Sequence, residues 1–358
     1  MHVDQPTYIY HNQNEPMDSN NTLDIEIEDQ LIAYLQSTKL IAQEETVTAK
    51  LLTGGVSNRT MLVTRPNGTQ WVVKQALKKL RVKVDWFSDP IRIHREAAGL
   101  SWLEQILPKG HVPSLVFDDQ ENHIIGMTAV PQPHDNWKTR LLRGKVERPL
   151  VQQFAQILAQ IHKPTLDDAP KLKAMLEDRS FFESLRVEPY YAYSATQLPD
   201  ASPFLNTLIE KTRMRQSAVV HGDYSPKNVL VYQGQLVILD YEVIHLGDPA
   251  FDLGFSLTHL LSKAHHVITQ RQSFLDAAKL YWETYLSVRG QTNDPDLEAM
   301  SVKHTLACLL ARVAGRSPLE YFDKAEQNRQ KEIVLHLIDK QIASVPHLIE
   351  LFGEQLNP

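Results

Sequence analysis

The stretch His221–Gly254, HGDYSPKNVLVYQGQLVILDYEVIHLGDPAFDLG, constrains this chain more than any other. Ala218-Val219-Val220 reads as a short buried strand that runs into His221-Gly222-Asp223. Val229–Tyr232 and Leu236–Leu239 are two apolar runs joined by Gln233-Gly234-Gln235, a hairpin signal. Antiparallel pairing carries Asn228, at the hairpin entry, and Asp240, at its exit, to the same end. Asp223 precedes Asn228 by a stretch that one tight loop can span. A carboxylate, an amide oxygen and a second carboxylate converging at a sheet edge suit a hard divalent cation beside a general base. Mg²⁺ takes few protein oxygens and completes its shell with water and phosphate oxygens.

Composition narrows the class. A chain of 358 residues is long enough for two lobes, and 42% hydrophobic with 22% charged residues is ordinary for a globular enzyme. The formal net charge of −6, with no long basic block, argues against nucleic acid or an anionic membrane as partner. The single cysteine, Cys308, excludes an intrachain disulfide framework and reads as a buried, inert thiol in an apolar helix. The N-terminal segment has no apolar core and no long apolar run occurs, so the expectation is a cytoplasmic protein without signal peptide or membrane span.

The layout D-x-x-x-x-N followed by a metal-binding aspartate is that of the protein-kinase template. With Gly222 after the histidine, the loop resembles the superfamily of aminoglycoside phosphotransferases, choline kinases and methylthioribose kinases. Asp240-Tyr241-Glu242 has the methylthioribose kinase spelling of the second motif, and Gly247–Gly254 (GDPAFDLG) is also similar to that superfamily. The resemblance covers most of 45–325 and is weakest over 131–215. It implies an α+β, bilobal, protein-kinase-like fold. A flexible tail (1–22) would precede an N-terminal nucleotide-binding lobe (23–130), a five-stranded antiparallel sheet with one main helix. A mostly helical C-terminal lobe (131–358) would carry the catalytic hairpin and the substrate site. It also implies ATP and Mg²⁺ as cofactors and a small-molecule hydroxyl as acceptor, with a homodimer open beside a monomer.

The motifs along the chain take their roles from this resemblance. In Lys50–Val63, Gly54 and Gly55 allow the backbone to approach a phosphate, and Ser57 and Asn58 add donors. The bland reading is an ordinary hairpin turn, but GGVSN resembles a nucleotide-covering loop. Lys74, at the end of the strand Trp71–Lys74, falls where kinases hold the α- and β-phosphates. Glu96, on a helix expected over Ile91–Ile106, is its partner, the alternative being an i,i+4 pair with Arg92. Trp86 either caps the phosphate site or packs between lobes. The Thr128 carbonyl and the Val130 amide would meet the adenine edge at the hinge.

In the second lobe Asp223 would be the catalytic base, Asn228 and Asp240 the Mg²⁺ ligands, and Glu242 a ligand for a second ion. His221 is expected to pack and bond internally, to the backbone or to Asp252. Asp252 is expected to N-cap a helix over Phe255–Ala264 and to brace the catalytic loop. Asp248 reads as a turn residue or as a neighbour of the metal loop. The aromatic patch Phe181, Phe182, Tyr190, Tyr191 and Tyr193 reads equally as core or as substrate wall. Ser317–Glu320 reads as a capping box. Arg312 corresponds to one of two adjacent arginines that form a substrate clamp in methylthioribose kinases, while Ala311 breaks the pair. The activity implied is ATP-dependent phosphorylation of a sugar, amino alcohol or aminoglycoside-like hydroxyl. The rivals are methylthioribose kinase proper, a non-catalytic nucleotide-binding module, and a metal-dependent hydrolase.

Overall fold

The computed structural model describes residues 6–9, 23–53, 55–82, 85–164, 166, 167, 169–290, 294–342 and 344–357. The chain divides into two compact units, one of residues 1–105 with 112–132, the other of 106–111 with 133–358.

The first unit is built on a sheet of β1 (Thr7–Ile9), β2 (Thr48–Leu51), β3 (Asn58–Thr64), β4 (Gln70–Ala76), β5 (Leu115–Asp119) and β6 (Ile124–Thr128), in the order β1-β5-β6-β4-β3-β2. Five of these strands pair antiparallel, as expected. The sixth, β1, lies within the stretch read as a flexible tail and adds in parallel, Thr7 opposite Phe117. The alternation of side chains sorts two faces. Met61, Val63, Trp71, Val73 and Phe117 form one core with Leu31, Tyr34 and Leu35 of the helix Glu28–Ser37. Ile27, at the N-cap of that helix, is 48% exposed. The opposite face of β4 presents Lys74, which meets the helix Arg92–Ile106. Gly126 is required by packing: a Cβ there would lie 2.1 Å from the Phe117 ring.

The second unit is mainly helical. Its central helix, Pro249–His266, is buried along nearly its whole length, polar residues such as Asp252, Ser256, His259 and Lys263 included. The helices Arg271–Arg289 and Leu297–Ala314 pack against it, and Arg148–His162 packs on Arg271–Arg289. Two small antiparallel sheets complete the unit. In one, β7 (Asp135–Asn136) flanks the hairpin of β9 (Val229–Tyr232) and β10 (Gln235–Ile238). In the other, β8 (Ala218–Val220) pairs with β11 (His245–Gly247).

Two capping expectations change. The central helix starts at Pro249 and is capped by Asp248, whose carboxylate accepts from the Ala250 amide, so Asp252 lies inside the helix. The capping box is Asp323 with Glu326, not Ser317 with Glu320. Ser317 instead accepts from Arg312, and Glu320 pairs with Lys138, so neither is left to cap. No helix among the described residues is long and apolar enough to cross a membrane.

Candidate active site

Hairpin chemistry places the first two candidates. Gln233 (φ 48°) and Gly234 (φ 78°) both turn left-handed, the two-residue turn that matches strand twist. Val229 then pairs with Ile238, and the Leu239 amide donates to Asn228 O at 2.9 Å. Asn228 and Asp240 therefore emerge at the same open end. Asp240 is one of few non-glycine residues here with a left-handed backbone (φ 72°), a conformation that Asp tolerates better than most.

The loop from His221 to Asn228 is fixed from below. The Asp252 carboxylate accepts from the backbone amides of His221 (2.7 Å) and Gly222 (2.9 Å). Its Oδ2 also meets His162 Nε2 at 3.2 Å, and His162 Nδ1 meets the Tyr285 hydroxyl at 2.9 Å. Burial pushes the Asp252 carboxyl up, but the His162 bond, the nearby imidazoles and the Gly222 amide outweigh it and hold it below its usual range. The expected His221–Asp252 link is thus made by the backbone, while the imidazole Nδ1 accepts from the Asp223 amide at 3.2 Å. Burial lowers the His221 pKa against the pull of Asp252, Asp223 and Asp240, which suits a neutral packing residue.

Asp223 is gripped from one side. Its Oδ2 accepts from Asn228 Nδ2 at 2.7 Å and lies 2.9 Å from Arg186 Nη2, while Oδ1 takes no hydrogen bond from a described residue. Arg186 Nε also donates to Gly222 O at 2.7 Å. Burial draws the Arg186 guanidinium down, yet the fields of Asp223, Tyr190, Glu242 and Asp240 keep its pKa above the ordinary value. The three carboxylates thus act on one buried cation. Sequence reasoning missed Arg186. The available signal was a lone cation inside the aromatic run Phe181–Tyr193. That run coils partly as an i→i+5 helix, Glu183–Ala192, a wide turn often found at functional sites. Phe181, Phe182, Tyr190 and Tyr191 on it are buried.

Arg312 lies further along the same wall. Its Nη1 donates to the Tyr190 hydroxyl at 3.1 Å and to Ser317 O at 2.6 Å. The Arg312 and Arg186 guanidinium carbons both stand 5.8 Å from the Tyr190 ring centroid. Ala311 is wholly buried, so a cation at that position would point into the core.

In the first unit, Lys74 Nζ meets Glu96 Oε1 at 2.6 Å, with the glutamate side chain fully buried. Lys74 stands inside β4 rather than at its end. Arg92, the alternative partner of Glu96, turns to the carbonyls of Ser57, Leu77 (3.0 Å), Ser88 (3.2 Å) and Asp89 (3.1 Å). It therefore ties the glycine turn to the end of β4 and to the loop before its own helix. Ser57 and Asn58 are buried where β3 begins, Gly55 is exposed, and Gly54 falls outside the described residues. Trp86 is 9% exposed. Thr128 ends β6, its amide bonded to Ser114 O at 2.9 Å, and Val130 follows in the connection.

No group of three His, Cys, Asp or Glu among the described residues gathers as a metal cage. The oxygen donors at hand are Asn228, Asp240 and Glu242, a hard set of the kind Mg²⁺ shares with phosphates.

The sequence profile of the phosphotransferase enzyme family, which contains the aminoglycoside phosphotransferases, matches residues 48–292, more than half of the chain. This chain belongs to that family. Among curated relatives, a methylthioribose kinase from Pectobacterium atrosepticum is 23% identical over 72% of this chain and 73% of its own length. A methylthioribose kinase from Oryza sativa subsp. japonica is 24% identical over 64% of this chain and 61% of its own length. Among solved structures, choline kinase from Cryptosporidium parvum shares the fold with a TM-score of 0.53 at 13% identity, covering 88% of this chain and 97% of its own. A phosphotransferase of this family is a kinase acting on a hydroxyl of a small molecule, and this chain is one.

Proposed function

We propose that this phosphotransferase uses ATP with Mg²⁺ and passes the γ-phosphoryl group to an acceptor hydroxyl received by Asp223. The observation that carries the reading is the asymmetry of the Asp223 carboxylate. Arg186 and Asn228 both engage Oδ2, which leaves Oδ1 oriented and available. A positioned carboxylate with one open oxygen is what a hydroxyl proton requires. Asp223 Oδ1 accepts the hydroxyl hydrogen bond, then its proton, as the new O–P bond forms and the bond to the ADP leaving group breaks. Asn228, Asp240 and Glu242 would hold Mg²⁺, which when bound neutralises charge on the phosphate oxygens.

Lys74, oriented by Glu96, would bind the α- and β-phosphates. The turn at Gly54, Gly55, Ser57 and Asn58 would cover the triphosphate, with Arg92 holding the Ser57 backbone. The Thr128 carbonyl and Val130 amide would take the adenine edge. His221 and Asp252 act as supports: Asp252 holds two loop amides, and His221 accepts from the Asp223 amide. Little covalent chemistry falls to the protein, and positioning carries the rate.

Asp223→Ala tests the centre. Turnover with any accepted substrate should fall by about 10²–10⁴-fold, while affinity for a non-hydrolysable ATP analogue stays within a few-fold. Turnover at the wild-type level in that variant overturns the assignment. Methylthioribose is one acceptor to test because the relatives carry that name. The buried Ala311 counts against it, since the arginine pair of those kinases cannot form here.

A further inference from the structure

The second unit holds polar groups that the reaction outlined above leaves unused. Lys263 is wholly buried in the helix Pro249–His266. Its Nζ donates to His259 O of the same helix at 3.2 Å and stands 5.4 Å from the Tyr321 ring centroid. His259 is 4% exposed, and neither of its ring nitrogens has a hydrogen-bond partner among the described residues. The same holds for Arg312 Nε and the Tyr321 hydroxyl. A buried ammonium and a buried, partnerless imidazole each cost stability, so packing does not account for them.

Charge around Lys263 is lopsided. Burial first, then Lys138 and Arg312, bring its pKa down to about 7, with Glu320 opposing. Burial and the cations Lys263, Arg312, Lys138 and Lys227 likewise hold His259 well below its usual value. Glu320 is already ion-paired with Lys138 and its side chain is 61% exposed. Exposure falls inward from there: the Lys138 side chain is 23% exposed, Arg312 8% and Lys263 0%. What these cations lack is a buried counter-charge, since Glu320, the carboxylate that opposes them, is largely exposed. Arg312 also connects them to the reaction centre, through Tyr190 and Arg186 to Asp223.

We propose that Lys263, Arg312, Lys138 and His259 receive an anionic group of the phosphoryl acceptor, a carboxylate or a phosphate monoester, while a hydroxyl of that molecule meets Asp223. The proposal rests on the kinase reading and sharpens it. Among sugars, amino alcohols and aminoglycosides, cationic acceptors would be repelled here and neutral ones would leave the cations without a counter-charge. A sugar acid or a sugar phosphate answers them.

The test uses the full chain and matched probes: D-gluconate against D-glucose, glycerol 3-phosphate against glycerol, and choline as the cation. Binding is read by calorimetry and thermal shift, and transfer by ADP release with Mg·ATP. At least one anionic probe should bind 10-fold or more tightly than its neutral partner, and the gluconate and glycerol 3-phosphate arms decide between carboxylate and phosphate. Lys263→Met should weaken that binding 10-fold or more yet melt no lower than wild type, because it removes a buried charge. Arg312→Gln should weaken it as well. The proposal is overturned if no anionic probe binds the wild type, if neutral partners bind as tightly, if Lys263→Met keeps its affinity within two-fold, or if that variant melts well below wild type. Anion binding lost in Lys263→Met, with no ADP release from any probe, upholds the anion site and sinks the kinase reading. ADP release from glucose, glycerol or choline that is untouched by Lys263→Met does the reverse.

Discussion

Gly222 stands where two loops press together. Its backbone is left-handed (φ 79°), and a Cβ would lie 2.8 Å from Val243 Cγ2 and 3.0 Å from the Val243 carbonyl oxygen. Its amide is held by Asp252 and its carbonyl by Arg186. Gly222→Ala therefore combines a left-handed penalty with overpacking, on the order of 2–4 kcal/mol together. Urea unfolding should show the loss as a lower midpoint at unchanged slope, and kcat should drop as Asp223 shifts. A variant within about 0.5 kcal/mol of wild type would mean that the loop relaxes around the methyl group. Residues of this kind were half legible. The HGD spelling pointed to Gly222 and Asp223, but the aromatic run around Arg186 marks only a lone cation, and a cation that reaches a carboxylate shares that pattern with one that snorkels to water.

Between the residue and the whole lie the ties that fasten one element to another. Arg92, buried at the start of its helix, bonds the carbonyls of Ser57, Leu77, Ser88 and Asp89. Replacing it by Gln should leave several of these acceptors unpaired, at a cost of about 3 kcal/mol. Affinity for an ATP analogue should fall as well, since Ser57 belongs to the glycine turn; stability lost with affinity intact would separate that turn from nucleotide binding. The strands and most helices could be read from alternation and apolar stripes, and the hairpin at Gln233-Gly234 from its turn residues. β1 could not, because Thr7-Tyr8-Ile9 is too short to show a period and gains its stability from pairing with Phe117–Asp119, which local sequence does not record. The caps at Asp248 and Asp323 were misplaced because Asp252 and Glu320 find partners distant in sequence, and Ser317 is taken by Arg312 of the preceding helix.

At the scale of the whole molecule, acid should be the weak direction. Asp248 and Asp252 are both buried and both held below the usual carboxylate range. Burial opposes the shift in each case; His304 and Arg215 outweigh it at Asp248, and His162 and His221 at Asp252. A carboxyl depressed in the folded state contributes its stability above its unfolded pKa of about 3.9 and loses it as pH falls through the folded value. The urea midpoint should therefore be level near neutrality and fall steeply below about pH 4. Asp252→Asn should be less stable at neutral pH with a shallower acid limb; an unchanged limb would assign the acid loss to other groups. The general plan was legible because two coupled motifs specify it, whereas acceptor selectivity was not, since it resides in contacts among Tyr190, Arg312 and Lys263 that no spacing rule relates. The grip on Asp223 has one more consequence. Its side chain gives up its rotational freedom once, when the chain folds, and not again at every encounter. An arriving molecule meets a carboxylate already aimed, so none of its binding energy is diverted to arranging that group.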